Sequence, residues 1–272
     1  MSSSFADMLA AAAAANNSLL CVGLDPVPER LPAQVRGDAD PVLTFNRALI
    51  DATADLVCAY KPNFGFYGAL GRGGWDTLAA TIEHIPESIP VIVDAKVGDI
   101  GSTAERYAQM FFGELGAHAL TVNPYMGADA VSPFLAWAGR GIFLLCLTSN
   151  PGADDFEKRA AGDGPLYEQV ARKAVEWSAD GCCGLVVGAT QPEAMAGLRA
   201  TAPELPFLVP GVGAQGGDLA AAVGRGVRRS GDGVLINASR GVIYASAEDD
   251  FATAARREAD SLRQQINEHR GG

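Results

Sequence analysis

Short apolar segments rich in valine, isoleucine and leucine recur along the chain, with more polar stretches between them. There are eight such segments, and each is nearly continuous in apolar residues instead of alternating with polar ones. Continuous apolar runs of this length are typical of parallel strands that are covered on both faces. The pattern therefore predicts eight buried strands: SLLCVGLD, LVCAYKPN, PVIVDAK, ALTVNPY, IFLLCLTS, GLVVGAT, FLVPGVG and GVLINASRG.

Segments with helical character lie between these strands. Examples are TFNRALIDATADLV, STAERYAQMFFGELGA, PLYEQVARKAVEWSADG and GGDLAAAVGRG, and the second of them carries a start signal at Ser102 or Thr103 with Glu105. Eight strands alternating with helices in about 250 residues predict an α/β fold, the (β/α)₈ TIM barrel. A doubly wound sheet usually has fewer strands and stays an alternative. We expect a single barrel domain over residues 1–272, with an N-terminal helix formed by the alanine run and a C-terminal helix.

Polar side chains follow the predicted strands at their carboxyl ends. Active sites of TIM barrels are built on this face, so the pattern predicts that many separate polar groups converge on one mouth. A solvated loop would explain any one of these residues alone, but it explains the whole set less well. The set comprises Asp25, Lys61, Asn63, Asp94, Lys96, Asn123, Thr148, Ser149, Gln215, Asn237 and Arg240.

The segment DAKVGD holds the strongest candidate for chemistry. Because side chains alternate along a strand, Asp94 and Lys96 lie on the same side of the third strand, and Asp99 follows in the loop. A structural ion pair would explain Asp94 and Lys96 alone. Lys61 ends the neighbouring strand, so two ammonium groups and two carboxylates would gather at one corner of the mouth. Such an array is costly to hold as structure alone and is typical of a proton-transfer site.

The glycine-rich loop PGVGAQGGD contains the spacing G-x-G-x-x-G. A dinucleotide site would need an acidic residue at the end of the next strand, but Asp232 precedes that strand. The loop follows the seventh strand and Arg240 follows the eighth, which is where barrels commonly bind phosphate. Backbone N–H groups and a guanidinium suit an anion, although a plain turn with a surface arginine is the alternative. The candidate phosphate ligands are Gly213, Gln215 and Arg240.

The polar segment TSNPGADDFEKRAAGDGP joins the fifth strand to its helix. A long loop on this face is either a mobile lid, here over residues 150–165, or a tolerated insertion. Its first residues, Thr148 and Ser149, lie at the strand end, where their hydroxyls can bind a polar ring or a carbonyl.

Composition narrows the class of partner. The chain has 21 basic and 32 acidic side chains, and this net charge of −11 disfavours a nucleic-acid or anionic membrane surface. No apolar run reaches the roughly 18 residues of a membrane span, and the first residues lack the basic region of a signal peptide. Three scattered histidines and five cysteines without a CxxC pair disfavour a metal site. We expect buried, reduced thiols in a cytoplasmic protein.

In these motifs the chain resembles the orotidine 5′-phosphate decarboxylase family, in particular its longer bacterial form. CVGLDP, YKPN, VDAKVGDIGST, LTSNPG, VPGVGAQGGD and SRG occur in the family's order over nearly the whole chain. DAKVGDI matches the family's D-x-K-x-x-D, which sister enzymes acting on sugar phosphates share, and Lys61 with the phosphate loop narrows the choice. The resemblance implies decarboxylation of orotidine 5′-phosphate to UMP, the last step of pyrimidine nucleotide synthesis, without a metal or an organic cofactor.

The resemblance also implies a role for each matching residue. It implies that Lys96 is the proton donor in a charged array with Lys61, Asp94 and Asp99. It implies a homodimer, because Asp99 and Thr103 would reach the site of a second subunit. The spacing around NASRGVIY is one residue longer than in the short-chain form, which leaves the register of Arg240 open. The implied substrate contacts are Asp25 to ribose, Ser149 to the pyrimidine, and Gly213, Gln215 and Arg240 to the phosphate.

Three other functions stay open on the residues alone. A lysine on a barrel strand can form a Schiff base, as in an aldolase. A metal-dependent sugar-phosphate decarboxylase would share the same barrel. A non-catalytic phosphate-binding barrel is the third, and it would leave the charged array without an evident purpose.

Overall fold

A closed parallel sheet forms the centre of the protein, in a computed structural model that describes residues 4–178, 181–212 and 216–271. The strands are β1 Leu20–Leu24, β2 Ala59–Pro62, β3 Ile92–Val97, β4 Ala119–Val122, β5 Gly141–Leu147, β6 Cys183–Val187, β7 Phe207–Pro210 and β8 Val234–Ala238. They pair in the order β2–β1–β8–β7–β6–β5–β4–β3. Isolated bridges from Tyr60 to Val91 and from Asn63 to Asp94 join β2 to β3. The sheet is therefore closed, so the predicted TIM barrel is confirmed and the doubly wound alternative is wrong.

Helices alternate with the strands around the barrel. They are α1 Phe5–Ala15, α2 Pro41–Thr53, α3 Phe64–Gly68, α4 Gly74–His84, α5 Gly101–Ala108, α6 Ala128–Leu135, α7 Leu166–Trp177, α8 Pro192–Thr201, α9 Leu219–Gly226, α10 Arg240–Ile243 and α11 Phe251–His269. A π-helical turn, Gln109–Glu114, continues α5. Short 3₁₀ helices lie at Pro28–Arg30, Ala33–Val35, Ala54–Leu56, Gly71–Gly73 and Pro151–Asp155, and a small hairpin joins Ala160–Ala161 to Gly164–Pro165.

The interior of the barrel is filled by a layer of apolar side chains, with one residue from each strand. These residues form one buried cluster together with Cys58 and with Phe5 of α1. The rings of Phe5 and Phe143 meet edge to face with centroids 5.8 Å apart, so α1 closes the amino end of the barrel. The layer consists of Cys21, Ala59, Ile92, Ala119, Phe143, Val186, Leu208 and Leu235.

Local sequence explains the start of α1 but not the start of α5. In α1 the Ser4 hydroxyl accepts a hydrogen bond from the Asp7 N–H while the Asp7 carboxylate accepts one from the Ser4 N–H, which is a capping box. The start signal expected around Ser102 is wrong, because α5 begins at Gly101 after Ile100 and has no side-chain cap.

Two further predictions concern membranes and thiols. Within the described ranges, no helix combines the length and the apolar character that a membrane crossing requires. Four of the five cysteines are buried, as predicted, and Cys182 is half-buried. The large apolar cluster outside the sheet packs the helices against the strands. The polar groups at the carboxyl ends of the strands therefore lie above a packed apolar core.

Candidate active site at the carboxyl end of the barrel

A polar layer lies directly above the apolar layer inside the barrel. Side chains alternate along a strand, so residues two positions beyond the apolar layer also point inward. Four of these inward residues are polar and buried: Lys61, Asp94, Thr121 and Asn237. The interior of the barrel therefore changes from an apolar layer to a polar layer, which forms the floor of the mouth, over one layer of side chains.

Asp94 is the centre of this floor, and its carboxylate accepts four hydrogen bonds. Oδ2 accepts from Lys61 Nζ at 3.0 Å and from Asn63 Nδ2 at 3.3 Å. Oδ1 accepts from Lys96 Nζ at 2.5 Å and from Thr121 Oγ1 at 2.9 Å. A carboxylate has about four acceptor sites, so Asp94 is saturated and fixed in orientation.

Burial and charge act together on this group. Lys61 is 3% exposed and Asp94 is 8% exposed. Burial alone would raise the pKa of Asp94, but the ammonium groups of Lys61 and Lys96 outweigh it and hold that pKa well below its ordinary value. Burial alone would lower the pKa of Lys61, but Asp94 and Asp25 outweigh it and hold that pKa above its ordinary value. Both groups are therefore charged at neutral pH.

Lys96 differs from Lys61 because it reaches the solvent. Its side chain is 45% exposed although its Nζ contacts the buried Asp94. Its backbone adopts φ +48°, a left-handed conformation that residues other than glycine rarely occupy. This conformation ends the regular part of β3 and leaves one ammonium group open to the mouth.

Asp25 and the region around Arg240 flank the charged cluster. Asp25 Oδ1 accepts a hydrogen bond from the Asn63 N–H at 3.1 Å, which links the ends of β1 and β2. A Cβ at Gly23 would lie 1.8 Å from Ser239 Oγ, so only glycine lets the chain after β8 cross β1 so closely. Arg240 follows Ser239, begins α10 and is exposed.

Ser149 is placed at the mouth by β5 and β6. A Cβ at Gly188 would lie 2.7 Å from the Ser149 backbone nitrogen, so this glycine permits their close approach. The loop that follows is folded and not an open coil: Glu157 accepts hydrogen bonds from the Thr148 N–H at 2.7 Å and from its hydroxyl at 2.9 Å. The ring of Phe156 meets that of Tyr125 with centroids 6.4 Å apart.

The glycine loop after β7 is described only at its two ends. Gly213 and Gln215 lie outside the described residues. Gly211 and Gly216 have φ values of +97° and +78°, so the chain enters and leaves the loop in conformations that favour glycine. The Gly217 N–H donates to the Gly211 oxygen at 3.2 Å, which brings the two ends together.

Asp99 and Thr103 are not brought to the charged cluster of their own chain. The Asp99 carboxylate accepts a hydrogen bond from the Ile100 N–H at 2.8 Å, and among the described residues it forms no ion pair. Thr103 is exposed on the first turn of α5. Large apolar side chains are exposed on the same side: Ile100, Tyr125 and Met126.

Thr121 was not identified from the sequence. It lies within the apolar run ALTVNPY, where a single threonine is ordinary for a strand. The available signal was its spacing, since it follows Ala119 by two and so shares the inward face of β4.

Comparison with known proteins identifies the family. The family model described as "Orotidine 5′-phosphate decarboxylase / HUMPS family" matches residues 18–257. The chain belongs to this family. A relative named orotidine 5′-phosphate decarboxylase from Azoarcus sp. (strain BH72) is 51% identical over 270 residues, which cover 98% of this chain and 99% of the relative. The family predicted from the motifs is thereby confirmed.

Solved structures of the family share the fold over the whole chain. The OMP decarboxylase of Leishmania donovani is 42% identical with a TM-score of 0.87, and the match covers 99% of this chain and 100% of that one. The UMP synthase of the same organism is 43% identical with a TM-score of 0.89, and the match covers 99% of this chain and 57% of that one.

Proposed function

We propose that the chain decarboxylates orotidine 5′-phosphate to UMP, the final step of pyrimidine nucleotide synthesis, with Lys96 as the proton donor. The observation that carries this proposal is the Asp94 carboxylate held between Lys61 and Lys96 at the barrel mouth. Membership of the family supports the reaction, because relatives about half identical to the chain bear the name of this enzyme.

The residues suit the electronic problem of the reaction. When the C6–carboxylate bond breaks and CO₂ leaves, the electron pair stays at C6 in an in-plane orbital that cannot delocalise into the ring carbonyls. Direct electrostatic stabilisation by a fixed cation is what remains. The Lys96 ammonium supplies that charge and then transfers one proton to C6, and the neutral amine regains a proton from solvent. No metal or organic cofactor takes part in these reaction steps.

A Schiff-base mechanism fits the cluster less well. It requires an unprotonated amine to attack a carbonyl. Lys61 is buried against Asp94 with a pKa above its ordinary value, so its amine form is scarce. Lys96 Nζ is paired with the same carboxylate. Asp94 therefore supports two lysines that act as cations.

The substrate contacts that we propose surround the cluster. Asp25 keeps a carboxylate oxygen available for a ribose hydroxyl, since the Asn63 bond is made by the other oxygen. Ser149 would contact the pyrimidine. The phosphate would lie between the glycine loop and α10, bound by Gly213, Gln215 and Arg240, because strand ends seven and eight are the usual phosphate site of the fold.

We also propose a homodimer in which Asp99 and Thr103 complete the partner's site. The Asp99 carboxylate accepts a hydrogen bond from the Ile100 N–H, and it forms no ion pair with Lys96 in the part of the chain that the structure describes. Large apolar side chains after β3 and β4 are exposed: Ile100, Tyr125 and Met126. Exposed apolar groups of this kind are typical of an interface between protein chains.

Finally, we infer a cytoplasmic location, which is supported by five cysteines that form no disulfide in the described ranges.

The substitution Lys96→Ala tests the function. We expect kcat/KM for orotidine 5′-phosphate to fall by about 1,000-fold or more, because the charge that stabilises the carbanion is lost. The matched control is Lys173→Ala on the exposed face of α7, with kcat/KM within about threefold of wild type. A Lys96→Ala protein that folds and still makes UMP at nearly the wild-type rate would overturn the proposal.

A further inference from the structure

The pairing of β3 with β4 is interrupted beside the charged cluster. Val93 pairs with Leu120 and Val97 pairs with Val122, so three residues of β3 face one residue of β4. Those three are residues 94–96, and the one opposite is Thr121. A bulge of this size leaves strand N–H groups without their usual carbonyl partners.

The hydroxyl of Thr121 takes the place of the missing carbonyl. It accepts hydrogen bonds from the Ala95 N–H at 3.0 Å and from the Lys96 N–H at 2.9 Å. It donates its own proton to Asp94 Oδ1 at 2.9 Å. A hydroxyl has one donor and two acceptor sites, so all of its hydrogen-bonding capacity is used. One side chain, 1% exposed, thus contacts three consecutive residues of the site.

This contact bears on Lys96 through its backbone. The left-handed φ of +48° at Lys96 is unfavourable for a lysine and persists only where surrounding contacts hold it. The two N–H groups bound by Thr121 belong to two successive peptide bonds, Asp94–Ala95 and Ala95–Lys96. The same hydroxyl fixes Asp94, whose other contacts include the Lys96 ammonium.

We propose that Thr121 is a positioning residue, which sets the backbone of Lys96 and the carboxylate of Asp94 in register for proton transfer. The inference rests on the proposed function, because it assigns a role only if Lys96 is the proton donor. Thr121 acts through these two residues and does not contact the substrate. Its loss therefore misplaces the reacting ammonium while the surfaces proposed to bind ribose and phosphate stay in place.

Three variants of one position test the proposal. Thr121→Val keeps the shape and removes the hydroxyl, and Thr121→Ser keeps the hydroxyl. We expect Thr121→Val to lower kcat by about 10- to 100-fold with KM within about threefold, since a small misplacement of a reacting group costs this much. We expect Thr121→Ser to keep kcat within about threefold of wild type. If Thr121→Val does not fold, Thr121→Cys replaces it under the same criteria, because a thiol is a weak acceptor.

A matched control separates positioning from the loss of any buried hydroxyl. Thr81 is fully buried on α4, donates to the Thr77 oxygen and accepts from Asn46, and neither of these partners belongs to the charged cluster of Lys61, Asp94 and Lys96. We expect Thr81→Val to leave kcat within about threefold. The proposal is overturned if Thr121→Val keeps wild-type kcat, or if Thr121→Ser loses as much as Thr121→Val. If Lys96→Ala is inactive in the same assay while Thr121→Val is fully active, only the positioning role fails and the proposed function stands.

Discussion

Two groups of partly or fully buried charge lie at opposite ends of the barrel and are satisfied in different ways. At the carboxyl end, the Asp94 carboxylate is surrounded by two ammonium groups and two neutral donors. At the amino end, the Arg199 guanidinium of α8 lies 3.7 Å from the ring centroid of Phe207, and within the described ranges its hydrogen bonds go to main-chain oxygens. Those oxygens belong to Ala202, Pro203, Leu205, Gly226 and Gly233.

The difference distinguishes a structural group from a reaction centre. Arg199 is a structural brace, meaning a side chain whose hydrogen bonds hold neighbouring segments of the fold together. Arg199 ties together the segments that precede β7 and β8, because its guanidinium donates to five main-chain oxygens of those segments. Burial first, and then the neighbouring Arg228, lowers the pKa of Arg199 to about 10, which is a cost without chemical use. Lys96 in contrast keeps one face open at the mouth, with 45% of its side chain exposed. Charge that is closed off by backbone supports the fold, and charge that reaches a cleft is available for catalysis.

Among the variants that compare the two ends of the barrel, Asp94→Asn is expected to have the largest combined effect on activity and stability. Asp94→Asn leaves two ammonium groups side by side with Lys61 still buried, so both activity and stability should fall. We expect kcat/KM to drop by about 100- to 1,000-fold, and the free energy of unfolding to drop by about 3–5 kcal/mol. Steady-state kinetics and urea denaturation measure the two. If the Asp94→Asn protein is as stable and as active as wild type, the claim that the Asp94 cluster is a reaction centre and Arg199 a structural group is contradicted.

Hybrid dimers test whether the site at the barrel mouth is completed by a residue from a second chain. The contacts of Arg199 lie within one chain and need no partner. Lys96→Ala and Asp99→Ala subunits are each expected to be nearly inactive alone. If the sites are shared as proposed, one site of a mixed dimer combines an intact Lys96 with an intact Asp99 from the other subunit. After equal mixing and exchange, random pairing gives about one quarter of wild-type activity. Mixtures that stay as inactive as the separate variants, although mass spectrometry shows mixed dimers, would contradict shared sites.

Arg199→Met should produce the opposite pattern to Asp94→Asn. Removing the guanidinium leaves several carbonyl oxygens without a donor, so we expect the free energy of unfolding to fall by about 1–3 kcal/mol. Because Arg199 lies at the far end of the barrel, kcat should stay within about threefold at temperatures where the variant is folded. The control is Arg225→Met, which removes only an exposed pair with Glu193 and should cost about 1 kcal/mol or less. A large loss of kcat in folded Arg199→Met would contradict the assignment as a brace.

The smallest effect is expected from pH. The lowered pKa of Asp94 contributes stability that is present above its unfolded value of about 3.9 and is lost as pH falls through the folded value. The raised pKa of Lys61 contributes stability that is present below about 10.4 and is lost as pH rises through the folded value. The difference in unfolding free energy between wild type and a Lys61→Met/Asp94→Asn variant, which removes both groups, should therefore be constant between about pH 5 and 9 and narrow below about pH 4. A difference that changes steadily across the neutral range in urea titrations would show that the pair titrates there.

The sequence was sufficient for the barrel and for the centre of the site. Continuous apolar runs predicted all eight strands, and the expected grouping of Asp94, Lys96 and Lys61 is observed, although a bulge at residues 94–96 interrupts the two-residue period. Thr121 could not be predicted, because its partners are N–H groups that only the bulge in β3 exposes. The start of α5 was misplaced because Ser102 resembles a cap although the chain turns at Gly101, which has φ +53°. The role proposed for Asp99 requires a second chain, which no local pattern in the sequence determines.

The most direct test of the account is the ultraviolet absorbance of orotidine 5′-phosphate after addition of the purified wild-type protein with a chelator present. The absorbance follows the conversion to UMP, and the chelator removes any metal that a sugar-phosphate decarboxylase would need. We expect the absorbance to fall at the same rate with and without the chelator, with UMP and CO₂ formed in equal amounts. An unchanged absorbance with folded protein, or a fall that requires an added divalent cation, would contradict the account.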